Sequence, residues 1–227
     1  MNMIAFDTSS QALSAALETD GGVWYMEIDA GSRHSELLMD CADWLCKEAG
    51  IKSSELTHAA CMKGPGSFTG LRIGFSAAKG LALALGIPLY AIPTLDCLSY
   101  PLSVWPGMVI PAIDAKKNCF FTALYRRGER LTDYIDAPAE SIAKTVQMTA
   151  CPNEPVIVTG SGAQLLNSRL APCLPPGLLC VDPEFCRGRA RELLELAKNA
   201  KIQKIDDINS GPVYLRKSDA ELNLITE

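Results

Sequence analysis

Apolar and polar positions along this chain predict a regular succession of strands and helices. The apolar run at residues 3–7, closed by Asp7, reads as a buried strand. Alternating stretches at 12–17 and 23–28 follow as second and third strands, joined by an Asp20-Gly21-Gly22 turn. Residues 33–49 carry Leu37, Leu38, Cys41, Leu45 and Cys46 at helical spacing, and Gly50 closes that helix. Met39 and Trp44 fall off the stripe and widen its apolar surface, as on a helix that meets something else. Short strands are predicted at 58–62 and 89–92, and Thr94 can cap a helix reaching about residue 103.

Trp105-Pro106-Gly107 breaks the pattern, and the chain then begins again. Asp114 ends a strand as Asp7 did, Ala123-Leu124 repeats Ala16-Leu17, and Gly128 repeats Gly21, all at one offset of 107 residues. A shared offset with a shared order of elements predicts a duplicated βββαβα unit, with lobes at 1–104 and 105–227. The second copy continues with a helix at 139–148, a strand at 156–159, a helix after Gly162 and a strand at 178–181. A charged amphipathic helix follows at 189–200, with Leu193, Leu194 and Ala197 inward. An extended tail at 209–216 comes last and can return to the first lobe.

One stretch departs from these simple periods. Gly64, Pro65, Gly66 and Gly70 crowd a tight turn directly before a helix at 68–85. Arg72 and Lys79 are that helix's only charged residues, and Phe68, Leu71, Phe75, Leu81, Leu83 and Leu85 spread around its whole circumference. A helix apolar all round needs cover on every side. Gly74, Ala77, Ala78, Gly80, Ala82 and Ala84 let neighbouring backbones come close. Either the helix is wedged inside its own lobe or a second protein chain covers one side, and periodicity does not separate the two. Arg72 and Lys79 share one face, where they either snorkel to water or make charged contacts with a partner.

The sequence Gly64-Pro65-Gly66-Ser67-Phe68-Thr69-Gly70-Leu71-Arg72-Ile73-Gly74 resembles the signature of the TsaB (YeaZ) family. Asp7-Thr8-Ser9, Arg33-His34-Ser35-Glu36 and Tyr214-Leu215-Arg216-Lys217 extend the likeness over nearly the whole chain. The resemblance implies an α/β, two-lobed fold of the actin, Hsp70 and sugar-kinase (ASKHA) type. It implies a non-catalytic subunit of the machinery that makes threonylcarbamoyladenosine at position 37 of tRNA. By that likeness the chain pairs with a TsaD-like catalytic subunit, is joined by a TsaE-like ATPase, forms a homodimer when alone and meets tRNA only through the complex. No cofactor is implied. The partner face falls on the two front helices, at His34, Leu37, Leu38, Cys41, Leu45, Leu71, Phe75, Ala78, Lys79 and Ala82. Relatives commonly carry an Asp-Ala-Arg-x-Gly-Glu-Val-Tyr-like second hairpin. The divergent Asp114-Ala115-Lys116-Lys117-Asn118-Cys119-Phe120-Phe121 here leaves the contacts of that hairpin open.

Bulk composition fits this picture. With 48% hydrophobic and 21% charged residues, the 227-residue chain has the make-up of a globular protein. No stretch approaches the ~20 apolar residues of a membrane span, and the start lacks the form of a secretory signal, so the expected location is the cytoplasm. The nine cysteines are odd in number, scattered and without a Cys-x-x-Cys pair, so they read as reduced structural thiols. A net charge of −5 argues that this chain does not by itself hold a polyanion.

The chemistry an enzyme would need is sparse. The hairpins after Asp7 and Asp114 hold no glycine, although phosphate-wrapping hairpins of the ASKHA type use glycine for close backbone approach. Asp7, Thr8, Ser9, Asp114, Gly160 and Gly162 therefore read either as a vestigial nucleotide cleft or as ordinary strand-end and turn residues. The chain's two histidines, His34 and His58, stand apart, and His34 reads as a capping or surface residue rather than a metal ligand. Ser67 lacks a Gly-x-Ser-x-Gly setting and a partner base. The rivals to the interaction-subunit reading are a small-molecule kinase or ATPase of the same superfamily and, further off, a metallopeptidase relative.

Overall fold

The computed structural model describes residues 1–199 and 211–216. Ala200, Asn209, Ser210 and Lys217, which belong to the predicted last helix, tail and final motif, lie outside the described residues.

The first lobe runs β1 (Met3–Asp7), β2 (Ala12–Thr19), β3 (Gly22–Asp29), α1 (His34–Glu48), β4 (His58–Gly64), α2 (Phe68–Leu85), β5 (Leu89–Pro93) and α3 (Thr94–Ser99). The second runs β6 (Met108–Asp114), β7 (Cys119–Thr122), β8 (Tyr125–Arg126), β9 (Glu129–Arg130), β10 (Ile135–Pro138), α4 (Ala139–Thr149), β11 (Val156–Thr159), α5 (Ala163–Leu170), β12 (Leu179–Val181) and α6 (Ala190–Lys198). The sheet orders correspond: β3-β2-β1-β4-β5 in one lobe, β10-β7-β6-β11-β12 in the other. In both, antiparallel hairpins lie on one side of the first strand and parallel crossover strands on the other. This duplicated arrangement is the expected two-lobed ASKHA fold.

The repeat is clearest where the two first strands end. Asp7 accepts a hydrogen bond from the Ser9 N–H (2.9 Å), and Asp114 accepts one from the Lys116 N–H (2.8 Å). Both carboxylates thus close the same local turn. The match of Ala123-Leu124 to Ala16-Leu17 does not carry over into strand pairing. The second-lobe strand breaks there: β7 leaves β6 after Thr122, and β8 pairs β6 again further back.

Strand alternation divides the first lobe into two cores. Ile4, Phe6, Ala59 and Cys61 face α1 and α2. Met3, Ala5, Ala60 and Met62 face the opposite way and meet Leu193, Leu194 and Ala197 of α6. Those three residues point inward as the amphipathic pattern predicts, but the sheet they cover belongs to the first lobe. The predicted cap Thr94 is instead the first residue of α3, and its hydroxyl has no hydrogen-bond partner. The helix also stops short of residue 103, giving way to a single 3₁₀ turn at Tyr100–Leu102. All nine cysteines are free thiols, four of them buried.

Candidate functional site

The signature turn and helix start, Gly64 to Gly74, seat α2 on the end of β1. Ser67 caps α2, its hydroxyl accepting from the Gly70 N–H at 3.2 Å. The Thr8 hydroxyl donates to the Gly70 carbonyl (2.7 Å), and the Ser67 N–H donates to the Ser9 carbonyl (2.8 Å). Contact this close requires glycine. A Cβ at Gly70 would lie 2.0 Å from the Thr8 carbonyl oxygen, and one at Gly74 would lie 2.3 Å from the Thr8 hydroxyl. Asp7-Thr8-Ser9 and the turn are thus one packed unit, brought together from 60 residues apart in sequence. Pro65 is buried, while Ser67, Phe68 and Thr69 are exposed at the helix start.

The tail completes this unit, a pairing that no local sequence pattern announces. The Val213 N–H donates to the Lys63 carbonyl at 2.7 Å. Gly64, at φ +103°, leaves room for the Val213 carbonyl, which a Cβ would meet at 2.6 Å. Phe68 and Tyr214 lie with ring centroids 4.9 Å apart. The Arg72 guanidinium sits 3.9 Å over the Phe68 ring and its Nε donates to the Tyr214 hydroxyl at 3.1 Å. Arg72 is therefore tied to the chain's own tail, and Lys79 is half-buried along the helix.

Beside Asp7 the space between the lobes is nearly filled. Asp7, 3% exposed, accepts from the Ser9 hydroxyl and N–H through one oxygen and from the Arg189 N–H (2.9 Å) through the other. The buried Arg189 side chain donates to Asp182 (3.2 Å) and to the Glu184 carbonyl (3.0 Å), anchoring the segment that leads into α6. What remains beside Asp7, Ser9, Ser161, Phe185 and Arg187 is a void of about 20 Å³. That is room for a water molecule, which needs ~10–15 Å³, and far below the ~300 Å³ at which small-molecule sites begin.

Asp114 does not line this void. Burial alone would raise its carboxyl, but hydrogen bonds from the Lys116 ammonium and backbone N–H outweigh that and hold it below the usual carboxylate value. Gly160 and Gly162 pack against β6, where added Cβ atoms would meet the Ala112 carbonyl oxygen (2.6 Å) and the Asp114 nitrogen (2.8 Å). Of the six cleft residues, only Asp7 and Ser9 line the void, and both carboxylate oxygens of the former already accept hydrogen bonds within the chain. Among the described residues, no three His, Cys, Asp or Glu side chains converge as metal ligands would.

The partner face needs correction. His34, Leu38, Cys41, Leu45, Leu71, Phe75, Ala78 and Ala82 are all buried in the first lobe itself, most of them between α1, α2 and the sheet. The resemblance implied a partner face on these residues, but their helical spacing is that of the face a helix turns to its own core. His34 is likewise no surface residue: it is 5% exposed, and its Nε2 has no hydrogen-bond partner. Leu37 and Lys79 are half-buried.

The surface that α1 and α2 do present lies one helical step round. Ser76, Gly80, Leu83 and Ala84 are exposed on α2, with Ile73 and Ala77 half-exposed beside them. Leu83 is 55% exposed, and Met39 and Trp44 of the adjoining α1 are 43% and 41% exposed. The signal for the α2 strip was present in its run of small residues, and Met39 and Trp44, five positions apart and so about 140° round α1 from each other, do not share one face with it.

A family model described as "TsaD: tRNA N6-adenosine threonylcarbamoyltransferase" matches residues 13–223. The chain is 30% identical over 232 residues to the tRNA threonylcarbamoyladenosine biosynthesis protein TsaB of Haemophilus influenzae, covering 95% of this chain and 94% of that protein. It is 28% identical over 228 residues to the TsaB protein of Bacillus subtilis, covering 99% of this chain and 98% of that one. Among solved structures, YeaZ from Pseudomonas aeruginosa superposes with a TM-score of 0.77 at 27% identity, covering 94% of this chain and 99% of that one. The family model carries the transferase's name, and the relatives matched from end to end carry that of TsaB.

Proposed function

The chain belongs to the TsaB (YeaZ) family of tRNA threonylcarbamoyladenosine biosynthesis proteins, and from that premise we propose that it is the non-catalytic partner of a TsaD-type threonylcarbamoyltransferase. The observation that carries this reading is the outer face of α2. An 18-residue helix turns toward solvent a strip of Ser76, Ala77, Gly80, Leu83 and Ala84 with no acidic residue and only Arg72 and Lys79 as charges. Small side chains let a partner helix approach closely, and Leu83 gives it an apolar anchor. Exposed apolar surface of this kind marks a protein contact in a globular chain.

The filled cleft supports the same division of labour. Asp7 is engaged by Arg189 and Ser9 rather than open to a substrate. A 20 Å³ void leaves no room for a nucleotide, which disfavours the kinase or ATPase alternative. The metallopeptidase alternative has no converging ligand set among the described residues. In this reading the partner carries the chemistry and this subunit holds it in working shape. A TsaE-type ATPase joins the pair, and the isolated chain dimerises through the same α1–α2 face. With a net charge of −5, the chain contributes little to holding tRNA, which the cytoplasmic complex meets through the transferase.

Co-expression with the TsaD-type subunit, followed by size exclusion, tests the pairing. The two chains are expected to elute together at equal stoichiometry, and the partner should dissolve the homodimer of this chain. Separate elution at micromolar concentration, with both chains folded, contradicts the proposal.

A further inference from the structure

One line of residues runs along the outer face of α2. Arg72, Ser76 and Leu83 are exposed and lie within about 40° of one another round the helix, with Arg72 ~16 Å, or about three turns, from Leu83. A partner segment laid along α2 over Leu83 therefore comes to Arg72 at the far end. There it meets the tail, because the Arg72 Nε donates to the Tyr214 hydroxyl at 3.1 Å and the half-buried Tyr214 ring lies against Phe68. The docking face of the first lobe thus ends on a side chain that the tail supplies.

The same tail is fastened to the second lobe two residues further on. The Arg216 guanidinium grips the Asp136 carboxylate of β10 through Nε (2.8 Å) on one oxygen and Nη2 on the other. Its Nη1 donates to the carbonyl of Ala115, in the turn between β6 and β7 (3.1 Å). A two-pronged pair of this kind fixes direction as well as distance. On the first-lobe side the Val213 N–H, donating to the Lys63 carbonyl, holds the tail backbone in register. Residues 213–216 therefore reach from the start of α2 to the second-lobe hairpin. A short surface segment held by hydrogen bonds rather than by a buried core opens locally at far lower cost than the lobes it joins.

We propose that the tail is a coupling strap: a TsaD-type subunit seated along α2 rests on Tyr214 as well as Leu83, and Arg216 passes that contact to β10 and the β6–β7 hairpin. The inference rests on the partner reading above and adds the route by which docking on one lobe steadies the other. A partner that touches Tyr214 binds the seated tail better than the released one, so docking shifts the tail toward its seated state. By linkage, the seated tail strengthens docking by the same factor.

Hydrogen exchange of the full chain, free and saturated with the TsaD-type subunit, tests it. The Ala115 and Cys119 amides report on the second lobe, since they are bonded across the hairpin turn to the Cys119 and Lys116 carbonyls. With the parent chain, saturating partner is expected to slow their exchange about fivefold or more. Arg216→Gln and Asp136→Asn each change a partly exposed side chain and should leave the lobes folded. In both, the slowing at Ala115 and Cys119 should vanish while α2 is still protected by the partner, and binding of the partner should weaken by up to the same factor. Equal slowing in the parent and both variants would mean that the partner reaches the second lobe directly, and would overturn the strap. So would protection of α2 with no change at Ala115 and Cys119 in the parent, an outcome that leaves the partner reading standing. Absence of any complex would remove the partner reading and the strap together.

Discussion

Replacing Leu83 with glutamate is expected to leave the chain folded and to weaken its complex with the TsaD-type subunit by about thirtyfold or more. The size follows from the ~2 kcal/mol or more lost when a central apolar anchor fails, here made worse by a carboxylate left without a partner in a desolvated contact. Leu83 is 55% exposed, so the free chain loses almost no packing. Leucine and glutamate also have nearly equal helix propensity. The same change at Leu71, which is 1% exposed, should instead unfold the lobe, because it puts a charge into the core under α2. Leu37 and Leu81 are half-buried against that core and would mix the two effects. Circular dichroism with a binding titration separates the outcomes. A folded Leu83→Glu chain that binds as tightly as the parent would place the contact elsewhere.

The second large effect divides one helix between two opposite responses. Gly70→Ala places a methyl group 2.0 Å from the Thr8 backbone oxygen, and neither that strand end nor the helix start can move without separating β1 from α2. Overpacking against backbone at such a site costs about 3 kcal/mol or more. For a chain of this size that lowers the melting temperature by ~6–12 °C. Gly80→Ala, ten residues along α2, meets nothing within 4 Å. Alanine's better helix propensity should stabilise the chain there by ~0.5–1 kcal/mol, raising the midpoint by ~1–4 °C. Thermal unfolding of the two variants side by side reads the difference in sign. A neutral Gly70→Ala would mean that the signature is not the seat of α2 on β1.

How much of this was legible depended on how local each signal is. The spans of β1, α2 and β11 follow from runs of apolar residues and their boundaries, and match the sequence reading residue for residue. The duplication was visible because Asp7 and Asp114 make the same short-range turn. The outward face of α2 was not, because a helix built from Leu, Ala and Gly has apolar side chains on every side and so no phase to read. The partner face that the resemblance implies falls on buried positions, while the neighbouring strip of Ser76, Gly80 and Leu83 faces solvent. Contacts such as Arg189 N–H to Asp7 and Arg72 to Tyr214 join residues 182 and 142 positions apart. No periodicity encodes such pairs, so the filled cleft and the seat of the tail on the signature turn, beyond its expected return to the first lobe, emerged only from the folded chain. α6 shows both halves of the lesson: its buried stripe was evident, and the sheet receiving it was not.

The most direct test of the account is reconstituted threonylcarbamoylation of tRNA, with the TsaD-type subunit, the ATPase and a supply of threonylcarbamoyl-adenylate held constant while this chain is varied. Product should form with the parent chain, fall by at least about tenfold with the folded Leu83→Glu chain, and be absent when this chain is present without the transferase. Undiminished product with the Leu83→Glu chain, or product made by this chain alone, would contradict the account.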